Sequence, residues 1–170
     1  MNALYIIDLI GFFGPHILFL ITLYLLYSRK HYLFVYIFAC VLNGIINLIL
    51  KGIIRQKRPD GDTDIFNKNK KYERIGSNNF GMPSGHSQYV VFSTIYIYLV
   101  LNNTNITLFY ALVSLITMFQ RVKYQNHFLK QVIVGALLGG SLAYCSYLFA
   151  NKKIMGKLVS KKDDNALDTI

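Results

Sequence analysis

The chain has 170 residues, 54% of them hydrophobic and only 15% charged, with 18 Lys and Arg against 8 Asp and Glu. A soluble domain is about 25% charged; here the charges are sparse and gathered into short blocks between long apolar stretches, which excludes an ordinary soluble domain and points to a membrane-embedded one. A net charge of +10 first suggests a nucleic-acid partner, but a chain that faces lipid over most of its length is unsuited to one. Cys40 and Cys145 both lie inside apolar segments, so the sequence offers neither a disulfide framework nor a Cys-based zinc site. No Lys or Arg precedes Arg29, so the pattern of a cleaved secretory signal is not met.

Five apolar segments follow in order: Leu9 to Tyr27, interrupted by Gly14-Pro15-His16; Tyr32 to Leu50; Ser84 to Leu101; Ile106 to Phe119; and Val132 to Ala150. A spanning helix takes about 17–25 residues. Four segments meet that length, and the fourth must borrow from Asn102 to Asn105 or extend into Gln120 and Arg121. The expectation is an all-α polytopic membrane protein of about five transmembrane helices. It forms one membrane domain over residues 1–150, with a polar loop at 52–82 and a polar, disordered tail at 151–170. Alternating spans bring the end of the second, the start of the third and the turn between the fourth and fifth to one membrane face.

Three patches meet on that face. In the first, Lys51, Arg55 and Arg58 share a side if the second helix continues past Leu50, and Pro59 then closes it. The same cluster would also serve as a headgroup anchor. In the second, Gly81-Met82-Pro83-Ser84-Gly85-His86-Ser87-Gln88 opens the third span. Its free backbone N–H groups and positive dipole end suit an anion, Gly85 allows close approach, and His86 stands ready to protonate a leaving oxygen. The alternative is a plain helix cap with an interfacial histidine. In the third, His127 and Gln131 are four apart, so on a helix the Gln amide oxygen could accept from one ring nitrogen and leave the other free. Arg121 adds a planar fork for phosphate oxygens. An interfacial loop with snorkelling cations is the plainer alternative. Together, three cations, an anion-binding helix start and two histidines on one face make a phosphate-ester site.

Lys51-x6-Arg58-Pro59, Pro83-Ser84-Gly85-His86 and Arg121-x5-His127 resemble the three signatures of the type 2 phosphatidic acid phosphatase superfamily. Gly81 to Gln88 and Arg121 to Val132 are most similar to its dolichyl-diphosphatase branch. Two positions depart from the general pattern: Gln120 stands for the usual Ser, and Gln131 for the usual Asp, a position where the branch commonly has Gln. The resemblance implies a helical membrane bundle acting on a phosphorylated membrane lipid, without metal or other cofactor. It implies that Lys51, Arg58 and Arg121 clamp phosphate oxygens and that the backbone around Ser84 and Gly85 holds the transferring group. It further implies His127 as the nucleophile, His86 as the acid and then the base, and Gln131 as the residue orienting His127. The implied activity is hydrolysis of a polyprenyl (dolichyl) diphosphate. Alternatives are a phosphatidate-type monoester phosphatase and an inactive lipid-binding or scaffold protein.

Smaller features have structural readings. Gly135-x-x-x-Gly139 suits close helix packing, Asn43 and Asn47 suit hydrogen bonds to a neighbouring helix, and His16 suits an interfacial or kink position. Asp8 stands too near the start to be read as intramembrane. The Asn102 and Asn105 sequons lie in a short connector where no sugar is expected. Eleven of the 18 Lys and Arg fall on the site face, which by the positive-inside rule would make it cytosolic. At least three of these are explained by phosphate binding, and the branch resemblance implies a lumenal site in the endoplasmic reticulum.

Overall fold

The computed structural model describes residues 3–66 and 73–167, with side chains over 4–66 and 73–152. Lys68, Lys70 and Lys71 of the polar loop and the last three residues of the tail lie outside the described residues. Five helices follow in order: α1 (Ala3–Leu25), α2 (Lys30–Ile54), α3 (Gly85–Leu101), α4 (Thr104–Lys123) and α5 (Leu129–Leu167). A short 3-10 turn, Gly76–Asn79, precedes α3. The described residues contain no strand ladder, and the all-α architecture is as expected.

Helices α1, α2, α4 and α5 are long and apolar enough to cross a membrane. The short one is α3, with 17 residues, rather than α4, which reaches 20. Helix α4 gains its length at both ends: Asn103 caps it, its Oδ1 accepting from Ile106 N at 3.1 Å, and the helix runs on through Gln120 and Arg121. Helix α5 continues to Leu167, so the polar residues after Ala150 prolong a helix where an irregular tail was expected. Ala, Leu, Met and Lys in this stretch are good helix formers, and no Pro interrupts them.

Helix α3 is the hub and packs against the other four. Its closest partner is α5, where Gly135 lies against the backbone of Ser84 and Gly139 against that of Gln88; a Cβ at either position would overlap it. The Gly-x-x-x-Gly stripe therefore serves internal packing. Helix α1 packs on α3 and α4, and α2 on α3 and α5. The interior mixes an apolar core, with Leu18, Tyr36, Phe92, Tyr96 and Tyr110 fully buried, with polar pairs between helices, and the outer surface is apolar. Asn47 Nδ2 donates to Gln88 Oε1 at 2.7 Å, and Gln88 Nε2 donates to Asn43 Oδ1 at 2.5 Å. Thr94 and Ser114 hydroxyls meet at 2.8 Å, as do those of Tyr36 and Ser93. Phe34, Phe38, Leu112, Leu115 and Leu137 face outward. This suits lipid, where apolar surface has no reason to hide and interhelical hydrogen bonds contribute about 0.6 kcal/mol each on average.

Candidate active site

Lys51, Arg58, Gly85, His86, Arg121 and His127 line one cavity of about 930 Å³ at the end of the bundle. The three patches do meet on one face. Lys51 closes the last turn of α2 and is buried. The helix stops sooner than Pro59 would require, because Arg55 takes a left-handed conformation at φ 50° with its N–H on Lys51 O. Arg55 is exposed and donates to Gly52 O at 2.9 Å, so it does not share a helical face with Arg58 and does not join the site. Arg58 reaches the cavity from the loop instead. Asn78 ties these cations together: its Oδ1 accepts from Lys51 Nζ at 3.0 Å, and its carbonyl accepts from Arg58 Nε at 3.2 Å and Nη2 at 3.0 Å.

His127 sits in the loop just before α5, not on the helix with Gln131, yet the two side chains meet. Its Nδ1 lies 2.8 Å from Gly81 O and 3.2 Å from Gln131 Oε1. Both neighbours only accept, so Nδ1 carries the hydrogen. Nε2 is then the lone-pair nitrogen, and Arg58 Nη1 donates to it at 2.9 Å. Burial first, then the charges of Arg58, Lys51 and His86, hold the ring's pKa well below the ordinary histidine value, against the raising effect of the Gln131 hydrogen bond. A neutral ring at neutral pH is the form a nucleophile needs.

Gln131 is fully buried and acts from behind His127. Its Nε2 donates to Lys57 O at 2.8 Å and Gln56 Oε1 at 2.9 Å, while Oε1 also accepts from Phe128 N at 3.2 Å. Gly81 is required beside it, since a Cβ there would run into the Gln131 amide. On the opposite wall, Arg121 donates from Nη1 to His86 Nε2 at 3.3 Å and lies over the Phe12 ring at 5.2 Å. Its Nε donates to Gln120 Oε1 at 2.5 Å, a use for the Gln that replaces the usual Ser.

Ser84 does not face the cavity. It is fully buried, its N–H donates to Gln131 O at 3.0 Å, and its hydroxyl accepts from Ser87 at 3.0 Å. The part of α3 that lines the cavity therefore begins at Gly85. Several neighbours carried no sequence signal, among them Asn78, the Gly81 carbonyl and Arg74, while His16, read from the sequence as an interfacial or kink residue, lines the cavity from α1. Asp8 is buried as well, and its carboxylate accepts from Lys123 Nζ at 2.7 Å and Tyr124 OH at 2.8 Å. Among the described residues, no group of three or more His, Cys, Asp and Glu is placed to hold a metal ion.

The cavity is lined by cations and histidines together with Phe12, which packs on Arg121 and His86, and by apolar residues Phe19, Val41 and Leu48, which form an arm between α1 and α2. Val41 and Leu48 also stand on the outer surface of α2, so the arm reaches the face that the helix offers to lipid.

Fold and site together define a helical membrane protein with a cluster of cations and histidines at the mouth of its bundle. The family model of the PAP2 superfamily matches residues 32–155, and the chain belongs to that superfamily. It is similar to "Dolichyldiphosphatase 1" of Homo sapiens, at 26% identity over 144 residues that cover 75% of this chain and 57% of the relative. It is also similar to "Dolichyldiphosphatase" of Saccharomyces cerevisiae, at 37% identity over 120 residues, 63% of this chain and 48% of the relative. The chain thus spans about half the length of these curated relatives. No solved structure matches the chain.

Proposed function

We propose that this protein is a lipid-diphosphate phosphatase that converts a polyprenyl diphosphate, of the dolichyl type, to the monophosphate and inorganic phosphate through a phosphohistidine. The observation that carries the reading is the setting of His127: Nδ1–H is fixed by the Gly81 carbonyl, and Nε2 is turned toward Arg58 in a cavity shared with Lys51, Arg121 and His86. A phosphate entering this cation cluster would draw the Arg58 guanidinium onto its oxygens and free the Nε2 lone pair. Nε2 then bonds to the terminal phosphorus as the bond to the bridging oxygen breaks, and His86, released from Arg121 and protonated from solvent as the phosphate binds, gives its proton to that oxygen. In the second half His86 takes a proton from water, the water oxygen bonds to phosphorus, and the P–N bond breaks. Fixed cations offset the charge on the transferring group in both halves. The apolar arm suits an isoprenoid chain, and the two named relatives support the dolichyl type. By the same likeness, an endoplasmic reticulum membrane with a lumenal site is the proposed location.

The test is phosphate release by the purified protein in detergent with a chelator present. It should act on dolichyl or farnesyl diphosphate, and His127→Ala should abolish turnover while the protein still folds. Preference for phosphatidate would replace the substrate class. No release from either would favour a binding or scaffold role.

A further inference from the structure

We propose that Arg74 builds a second phosphate subsite, one that holds the inner phosphate of a diphosphate on the leaving-group side of the reaction. The inference rests on the reading of the site as a lipid-diphosphate phosphatase and adds a residue outside all three signature motifs.

Arg74 comes from the polar loop, yet it lines the same cavity as Lys51, Arg58, Arg121 and His127. Its position is fixed relative to the nucleophile. Both terminal nitrogens meet the buried Asp62 carboxylate, with Nη2 to Oδ1 at 3.0 Å. Asp62 Oδ1 also accepts from Asn126 Nδ2 at 2.7 Å. Asn126 immediately precedes His127, and its carbonyl accepts from Arg58 Nη1 at 2.6 Å. Arg74, Asp62, Asn126 and Arg58 therefore form one connected chain around the nucleophile loop. The cations are close enough to feel one another: burial first, then Arg58 and Arg121, push the Arg74 pKa down. Four cations against the carboxylates of Asp62 and Glu73 leave the cavity net positive.

A transferring phosphoryl group has three non-bridging oxygens, and Lys51, Arg58 and Arg121 are enough to serve them. A fourth cation has no role in the transfer itself. It has one if the leaving group is also a phosphate. When His127 Nε2 bonds to the terminal phosphorus, the bridging P–O bond breaks and its electron pair passes to the inner phosphate. The His86 proton neutralises one oxygen, and Arg74 offsets the charge that remains. With a lipid monophosphate the leaving oxygen is an alkoxide, and no second phosphate reaches Arg74.

Farnesyl diphosphate and farnesyl monophosphate, which share one lipid chain, test this on the full chain in detergent. Arg74→Gln keeps a side chain able to donate to Asp62 and removes the charge. It should lower the ratio of kcat/KM for diphosphate over monophosphate by about tenfold, the scale of one charge-assisted hydrogen bond. Arg74→Lys should keep most of the ratio, and it carries the test if the Gln variant does not fold. Equal losses on both substrates would overturn the subsite. Inhibition provides a readout independent of turnover. In Arg74→Gln the inhibition constant of methylenediphosphonate should rise about tenfold, while that of orthophosphate changes less than about twofold; equal changes would overturn the proposal. A wild type that turns over the monophosphate alone would instead retire the diphosphatase reading. The ratio of the two inhibition constants, measured on that activity, would then decide the subsite separately.

Discussion

At the scale of single residues, the backbone carbonyl of Gly81 sets the His127 tautomer more directly than Gln131 does, at 2.8 Å against 3.2 Å. Gln131→Ala should therefore lower kcat by less than about tenfold, because a carbonyl acceptor remains, and should also lower thermal stability through the stranded carbonyl of Lys57. A larger loss of kcat at unchanged stability would make Gln131 the main orienting group. The family's more usual carboxylate is a poor fit here, since Gln131 Nε2 donates to the Lys57 carbonyl, which cannot donate back. Gln131→Glu would set acceptor against acceptor in a buried site, at a cost of about 1–3 kcal/mol. Its melting temperature should fall below that of wild type, and an unchanged one would contradict these contacts. Arg58 gives a sharper test through pH. Its charge helps to hold the His127 pKa down, and the ring must be unprotonated to attack, so activity is lost as pH falls through that pKa. Arg58→Gln raises the pKa and should move the acidic limb of kcat/KM to higher pH while also lowering the plateau. An unmoved limb would contradict the contact.

Among the helices, two junctions hold the site in register. Gly139 lets α5 lie directly on the Gln88 backbone of α3, and Gln88 in turn gathers Asn43 and Asn47 from α2. Gly139→Leu should separate α3 from α5 and abolish a monodisperse folded peak in size-exclusion chromatography; a normal peak with full activity would show the contact to be dispensable. The second junction is the Asp8 ion pair linking α1 to the end of α4. Its two ends differ in exposure, with Asp8 at 9% and Lys123 at 39%. Lys123→Ala leaves the buried Asp8 carboxylate with the Tyr124 hydroxyl but no counter-charge, for which about 3–5 kcal/mol is the upper range, whereas Asp8→Asn leaves an ammonium that can turn to water. Lys123→Ala should therefore lower the melting temperature more, and the reverse order would contradict the burial. Spans, polar contacts of Asn43 and Asn47, and the glycine stripe were legible because each depends on residue type at helical spacing. The early stop of α2 was not, because the left-handed turn falls on Arg55, where neither Gly nor Pro marks it. Asp8 was obscured by its place near the first residue, since its partner lies more than a hundred positions away.

For the whole molecule, hydropathy alone predicted that three distant motifs would share one membrane face, and they line one cavity. The members of the site that the sequence did not single out, Asn78, the Gly81 carbonyl and Arg74, all come from the polar loop between α2 and α3. A backbone carbonyl carries no residue signature, and a solvated Lys- and Asn-rich loop looks alike wherever its side chains point. Ser84 misled in the opposite way, since a motif residue can be present for packing, and its N–H is used by Gln131. The apolar arm also emerges only from the assembled bundle, where α1 and α2 each pack on α3 and leave room between them. The central claim is that this cavity transfers a phosphoryl group through His127. It is tested most directly by rapid acid-free quench of the protein mixed with farnesyl diphosphate labelled in its terminal phosphate, followed by peptide mapping. The account predicts a base-stable, acid-labile label on the peptide containing His127, absent in His127→Ala and accumulating in His86→Ala if the second half is slowed more than the first. A label on His86, or turnover with no label on His127, would contradict it.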